Sequence, residues 1–275
     1  MGESGRVTIE EGVVFGTGGG RDLRCDVYRP PGQDGPVPGV LLVHGGSWRT
    51  GDVTQLRGYG IMLGRAGYVC VATEYRLLGE SPWPAQIHDV KAAIRWMRAN
   101  AGDLGIDPER IVVEGNSAGA HLGLLAAGTP GHPGLEGDGG NAGVPTTVAA
   151  AIGVYAPTLL THGERRRGGI TLAALSEATS EDEAALASPL THVTPAFPPT
   201  MLIHGTDDDT VPVDATLVMY EALAEAGVAC EVHLYAGQPH SFDAVPELGR
   251  QCAAEMLLFL DRYVRDRVPA PNAAG

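Results

Sequence analysis

Two runs of consecutive apolar residues, Val40-Leu41-Leu42-Val43 and Ile111-Val112-Val113, constrain this chain more than any other feature. A strand wetted on one face alternates apolar and polar residues. An unbroken apolar run belongs to a strand covered on both faces, as in a parallel sheet held between two layers of helices. The intervening segments supply such helices. Gln55 to Ala66 carries apolar residues at helical spacing, and Tyr68 to Thr73 returns to strand character. Pro84 sits where a first helical turn tolerates it, and Ile87, Val90, Ala93, Ile94 and Met97 form the buried stripe of a helix running to about Asn100. Asp107-Pro108-Glu109-Arg110 reads as a turn before the second apolar run, and Ser117 to Ala127 reads as an Ala- and Leu-rich helix. Val148 to Tyr155, Thr200 to His204 and Cys230 to Tyr235 follow as strands, with helices over Val213 to Ala226 and Glu247 to Arg265.

The order predicts one α/β domain over residues 1–275: a mostly parallel central sheet with helices on both faces. Within 1–39, Val7 to Phe15 and Leu23 to Tyr28 flank Thr17-Gly18-Gly19-Gly20, the pattern of an antiparallel hairpin, and a Pro-rich loop follows. Residues 156–198 hold at most two short helices, near Leu172 to Leu175 and Glu181 to Ala187, and are the only room for a small cap. Residues 269–275 read as a frayed tail.

Composition narrows the function classes. With 44% hydrophobic and 19% charged residues in 275, the chain can bury a sizeable core. Nineteen Lys and Arg against 33 Asp and Glu leave a net charge of −14, a field that repels phosphate backbones and anionic headgroups, so neither nucleic acid nor membrane is an expected partner. No apolar run approaches the ~20 residues of a membrane helix, and Met1 to Glu11 lacks the basic-then-apolar order of a secretory signal, so the expected location is cytoplasmic. Cys25, Cys70, Cys230 and Cys252 form no C-x-x-C pair, and no metal site is expected from them.

Gly115-Asn116-Ser117-Ala118-Gly119 is a G-x-S-x-G pentapeptide between a buried strand and a helix, the context in which a tight turn presents a serine hydroxyl as nucleophile. A serine needs a general base within hydrogen-bond reach and a carboxylate to hold that base in the useful tautomer. With this strand–turn–helix nucleophile, acid and base follow in the order Ser, Asp or Glu, His, on loops after late strands. Of nine histidines, His44 and His204 end strands, His88 and His121 lie on helices, His132, His162 and His192 precede the acid, and His233 is inside a strand. Only His240 sits in a loop between the last strand and the final helix. Asp207, Asp208 and Asp209 are consecutive after Thr200 to His204, and their spacing alone leaves all three open as the acid. Backbone N–H groups for an oxyanion are expected from Ala118, which follows the nucleophile, and from Gly46 and Ser47 in His44-Gly45-Gly46-Ser47-Trp48. Trp48 then falls either beside the acyl or alcohol pocket, as a substrate contact, or in the core.

From about Val40 to Tyr263 the chain resembles the α/β-hydrolase esterases of the hormone-sensitive-lipase-like and feruloyl/acetylxylan (BD-FAE) group. The resemblance is carried by His44 to Trp48, Tyr75-Arg76-Leu77 with Pro82-Trp83-Pro84-Ala85 and Asp89, Gly115 to His121, and Ser188-Pro189-Leu190. The group's H-G-x-x-D-x-x-V-P acid motif aligns with His204 to Pro212 and selects Asp208; its Gly-x-x-His loop aligns with Gly237 to His240. Ser47 stands where lipase-like members carry a third glycine, and Ala120 where many relatives carry another. Tyr75, Arg76 and Asp89 resemble a structural network. The resemblance implies a cofactor-free, metal-independent serine carboxylesterase that cleaves short-acyl or aryl esters of acetyl or feruloyl type through an acyl-enzyme. Little room for a lid implies an open site for small or polymer-linked esters. An arylformamidase-type amide hydrolase shares the same residues. A ligand-binding receptor that has lost the chemistry is expected to lack a triad member, whereas Ser117, Asp208 and His240 are all present. Oligomeric state is not legible.

Overall fold

A computed structural model describes residues 5–162, 166–175 and 180–266. The expected frayed tail, 269–275, lies outside them.

The chain opens with β1 (Thr8–Gly18) and β2 (Arg21–Arg29), paired antiparallel around Gly19 and Gly20, both at positive φ as a two-residue hairpin turn requires. There follow β3 (Val37–Val43), α1 (Arg57–Arg65), β4 (Val69–Thr73), α2 (Ala85–Ala99), α3 (Ala101–Leu104), β5 (Ile106–Asn116), α4 (Ala118–Gly128) and β6 (Ala150–Val154). The cap segment holds β7 (Leu159–Thr161), β8 (Gly169–Thr171), a 3₁₀ turn at Leu172–Ala174 and α5 (Glu181–Ala187). The chain closes with β9 (Thr200–Gly205), α6 (Asp214–Glu225), β10 (Cys230–Tyr235) and α7 (Pro246–Leu260), whose last turn widens to π geometry over Asp261–Arg265.

Eight strands form one sheet in the order β1-β2-β4-β3-β5-β6-β9-β10. The pairs among β3, β4, β5, β6, β9 and β10 are all parallel, and β2 joins β4 antiparallel. β7 and β8 pair separately. Alternation within the central runs divides the core. Leu41, Val43, Ile111 and Val113 pack on the side of α2 and α4, while Val40, Leu42, Val112 and Ile152 pack with Leu63 of α1 and Met256 and Phe259 of α7. An uninterrupted apolar strand is what such two-sided burial selects. Along α4, every residue from Ala118 to Ala127 is buried, and the helix lies close enough to the sheet that a Cβ at Gly123 would stand 2.9 Å from Val113 of β5 and Leu124 packs over Gly153 of β6.

The turn read at Asp107–Arg110 interrupts β5 rather than preceding it. Val37 pairs with Ile106 and Gly39 with Ile111, so the tetrapeptide loops out of the ladder. Asp107 closes that loop, accepting from Glu109 N–H at 2.9 Å and from Arg110 Nε at 2.7 Å.

Two supports hold the C-terminal edge of the sheet. Asp89 of α2, fully buried, accepts from Arg76 N, Nε and a terminal guanidinium nitrogen at 2.8, 2.8 and 2.7 Å, fixing the loop after β4. Tyr75 stacks on His44 with ring centroids 4.3 Å apart, and its hydroxyl donates to the His44 carbonyl at 3.1 Å. The loop after β3 is thus clamped just ahead of Gly45 and Gly46.

Candidate active site

Ligands of open parallel sheets bind beyond the carboxyl ends of the strands, and each candidate residue lies there. Ser117 follows β5 directly and adopts φ +53°, ψ −118°, a left-handed conformation costly for a residue with a Cβ. Its N–H donates to Val154 of β6 at 2.9 Å, and its carbonyl accepts from His121 at 3.0 Å as α4 begins. The flanking glycines permit so sharp a turn. A Cβ at Gly115 would stand 2.5 Å from the Gly119 backbone, and one at Gly119 would strike the carbonyl oxygens of Val43 and His44.

His240 Nε2 lies 3.0 Å from Ser117 Oγ, and His240 Nδ1 lies 2.6 Å from Asp208 Oδ2. The other carboxylate oxygen accepts from the N–H groups of Thr210 at 2.9 Å and Val211 at 2.8 Å. With Nδ1 donating to Asp208, Nε2 is left to accept the Ser117 proton. Burial alone would raise the Asp208 carboxyl, but hydrogen bonds from His204, His240 and Val211 N–H outweigh it and hold the group below the usual carboxylate range. The side chain is fully buried and stays ionised beside the imidazole. Among the described residues, Asp207 and Asp209 form no such contact: each side chain accepts from a neighbouring threonine hydroxyl in the exposed loop.

Gly46, Ser47 and Trp48 all have positive φ, at +111°, +52° and +59°. The sharp loop is closed by Arg49 and Thr50 N–H donating to the Gly46 carbonyl at 3.0 Å. Gly46 and Ser47 line the same cavity as Ser117, and no backbone carbonyl among the described residues accepts from their N–H groups. Ala118 heads α4, where N–H groups have no partner within the helix.

Trp48 requires a correction as a substrate contact. It is 2% exposed, its Nε1 donates to His121 Nδ1 at 3.2 Å, and it does not line the cavity. Its left-handed backbone turns the indole into the core beside α4. His121 in turn donates from Nε2 to the Ala187 carbonyl at 2.7 Å, and burial pushes its pKa down to about 4, so a neutral ring joins α4 to the cap.

The cavity of about 440 Å³ also exposes Tyr59, Asn116, Tyr155 and Asp243, which the sequence reading missed. Asp243 Oδ2 accepts from Tyr59 hydroxyl at 2.9 Å and Asn116 Nδ2 at 2.7 Å; Oδ1 accepts from Tyr155 hydroxyl at 2.5 Å. Tyr155, at φ +40°, lies with its ring 4.5 Å from the His240 imidazole. Its place just beyond β6, at the carboxyl edge of the sheet, was the available signal. Among the described residues, no group of three or more His, Cys, Asp and Glu is arranged to hold a metal ion.

The BD-FAE family model matches residues 25–223, which include Ser117 and Asp208. The chain belongs to the BD-FAE family. This BD-FAE chain is 32% identical over 267 residues to the probable carboxylic ester hydrolase LipM of Mycobacterium tuberculosis, an alignment covering 93% of this chain and 61% of LipM. It spans about three fifths of the length of the first curated relatives it matches, with 58% for LipQ and 60% for LipC. Among solved structures, Thermogutta terrifontis esterase 2 with propionate bound superposes at TM-score 0.79, with 29% identity and 94% of each chain covered. The same esterase phosphorylated by paraoxon superposes at 0.79, with 25% identity, covering 94% of this chain and 95% of that one. The architecture is the α/β-hydrolase fold.

Proposed function

We propose that this protein is a serine carboxylesterase that hydrolyses short-acyl or small aryl esters through an acyl-enzyme. The observation that carries the reading is the continuous relay of Ser117 Oγ, His240 and Asp208 Oδ2, at 3.0 and 2.6 Å, opening on the cavity. Ser117 Oγ attacks the ester carbonyl while His240 Nε2 takes its proton. The tetrahedral oxyanion accepts from the N–H groups of Gly46, Ser47 and Ala118, and collapse expels the alcohol, which leaves with the proton from Nε2. Water, deprotonated by the same nitrogen, then attacks the acyl-serine and releases the acid. Asp208 holds Nδ1–H and supports the imidazolium formed at each step. Every proton is carried by the chain's own residues, and the reading calls on no cofactor.

A cavity of about 440 Å³, near the lower end of the range for small-molecule sites, supports short acyl groups. Carboxylic ester hydrolases among the relatives, and propionate bound in a structural neighbour, support the same class. Initial rates on p-nitrophenyl acetate, butyrate and octanoate, a feruloyl ester and N-formylkynurenine, each with wild type and Ser117→Ala, test the reading. Expected are turnover that falls from butyrate to octanoate and a loss on the order of 10⁴-fold or more in the variant. Paraoxon should add one diethylphosphoryl group to wild type, by intact mass, and none to Ser117→Ala. Dominant formamide cleavage would replace the ester assignment, and ester turnover undiminished in Ser117→Ala would overturn the mechanism.

A further inference from the structure

The wall of the catalytic cavity carries a carboxylate that the ester-cleaving relay does not use. Asp243 stands three residues beyond His240 on a short 3₁₀ turn, half-buried and lining the cavity. Its three partners, Tyr59, Tyr155 and Asn116, come from three separate parts of the fold and all act as donors, the set an ionised carboxylate accepts. They fill three of about four acceptor positions and bring no positive charge. No Lys or Arg lines this cavity among the described residues, so the Asp243 charge is uncompensated by any cation of the wall. The chain's net charge of −14 adds to the same sign of field. The other carboxylate nearby, Asp208, is turned away into its contacts with His204 and His240.

We infer that Asp243 makes the cavity charge-selective: it takes esters whose remaining portion is neutral or cationic and rejects those that carry a carboxylate of their own. A substrate anion entering a low-dielectric cleft meets a fixed like charge without a compensating cation, and such juxtaposition is strongly penalised. A cation or hydroxyl on the substrate meets the remaining acceptor capacity of Asp243 instead. The inference rests on the esterase reading and narrows its substrate class.

Dimethyl glutarate and monomethyl glutarate share one acyl skeleton and differ by a charge at about pH 7.5, where a free carboxyl is ionised. Acetylcholine and 3,3-dimethylbutyl acetate are matched in the same way, with the charge on the alcohol side. For wild type, kcat/KM should favour dimethyl over monomethyl glutarate by on the order of tenfold or more, beyond the statistical factor of two for two ester groups. Acetylcholine should be preferred to its neutral isostere. In Asp243→Asn both ratios should move towards unity whatever happens to the absolute rates, while Glu225→Gln, which removes an exposed charge on α6, should leave the ratios as they are. Because each ratio is internal to one enzyme, wild type alone decides the matter if the variant fails to fold: ratios within twofold of the statistical value overturn the proposal. Failure of wild type to cleave any of the four esters would instead overturn the esterase reading.

Discussion

His204 Nε2 lies 3.2 Å from Asp208 Oδ2, the carboxylate oxygen that His240 Nδ1 also approaches. The same nitrogen is 3.0 Å from the Val211 carbonyl, and His204 Nδ1 is 2.8 Å from Thr216 Oγ1. Two acceptors at Nε2 place a proton on that nitrogen, and the Thr216 hydroxyl, which can donate or accept, serves Nδ1. Ring and carboxylate side chains are both fully buried, so His204 works by aiming Asp208. His204→Ala should lower kcat by about 10- to 100-fold with a smaller change in KM, since a misplaced acid weakens the base and not the binding cavity. His204→Asn, which keeps an N–H donor, should recover part of the loss. Steady-state kinetics on a p-nitrophenyl ester measures both.

Glu114 presents the opposite electrostatic case. It is buried on β5, neither carboxyl oxygen has a hydrogen-bond partner among the described residues, and burial, then the charge of Asp243, pushes its pKa well above the ordinary value. The folded state therefore keeps a proton that the unfolded chain gives up near pH 4. Where the folded state binds more protons, stability falls as pH rises, so Glu114 destabilises the protein progressively from about pH 4 up towards its raised folded value. Glu114→Gln abolishes this titration. Its melting temperature relative to wild type should rise between pH 5 and pH 8, and a constant difference across that range would contradict the assignment.

The layers of the fold were legible because burial on both faces of a parallel strand leaves a local mark. Val40 to Val43 and Ile111 to Val113 carry it, and the helical stripe of α2 lies where the spacing of Ile87 to Met97 puts it. The junction at Ser117 was legible because two glycines are forced there by backbone contacts from β3 and α4. Trp48 stayed open between pocket and core because its side-chain direction depends on three consecutive positive φ values, which the Gly-Ser-Trp sequence does not announce. Asp243 and Tyr155 lie 88 residues apart and meet only through tertiary packing, so no local pattern links them. The looped-out Asp107–Arg110 segment hid the first pairing of β5, because a turn motif inside a strand reads locally as a boundary.

Tyr155 separates two roles that can be tested one at a time. Its ring packs against His240, while its hydroxyl accepts from Asn116 Nδ2 at 2.7 Å and donates to Asp243. Tyr155→Phe keeps the ring and removes the hydroxyl, leaving Asp243 with Tyr59 and Asn116. We expect kcat to change by less than about tenfold, because the relay from Asp208 to Ser117 is untouched, and a melting temperature lower by a few degrees for the loss of a hydrogen bond to a charged group, about 1.5–3 kcal/mol. Tyr155→Ala also opens space beside His240 and should reduce kcat much further. Equal kcat losses in the two variants would show that the hydroxyl, and not the ring, positions the base.

Gly119 and Gly102 give opposite expectations for one substitution. At Gly119 a Cβ would meet the backbone carbonyls of Val43 and His44, atoms fixed in the centre of the sheet and in the loop that Tyr75 clamps. Neither can move aside as a flexible side chain could, so Gly119→Ala must push α4 away from β3, carrying Ser117 and the Ala118 N–H with it. The cost should be at least about 3 kcal/mol, and whatever protein remains folded should lose most of its kcat. At Gly102, in the short helix α3, a Cβ meets nothing within 4 Å. Gly102→Ala should therefore stabilise by about 0.5–1 kcal/mol through better helix propensity and a less disordered unfolded chain, a rise of about 1–3 °C in melting temperature with activity unchanged. Thermal melts and ester turnover on the two variants, side by side, decide whether close backbone approach at the nucleophile turn is what demands glycine there.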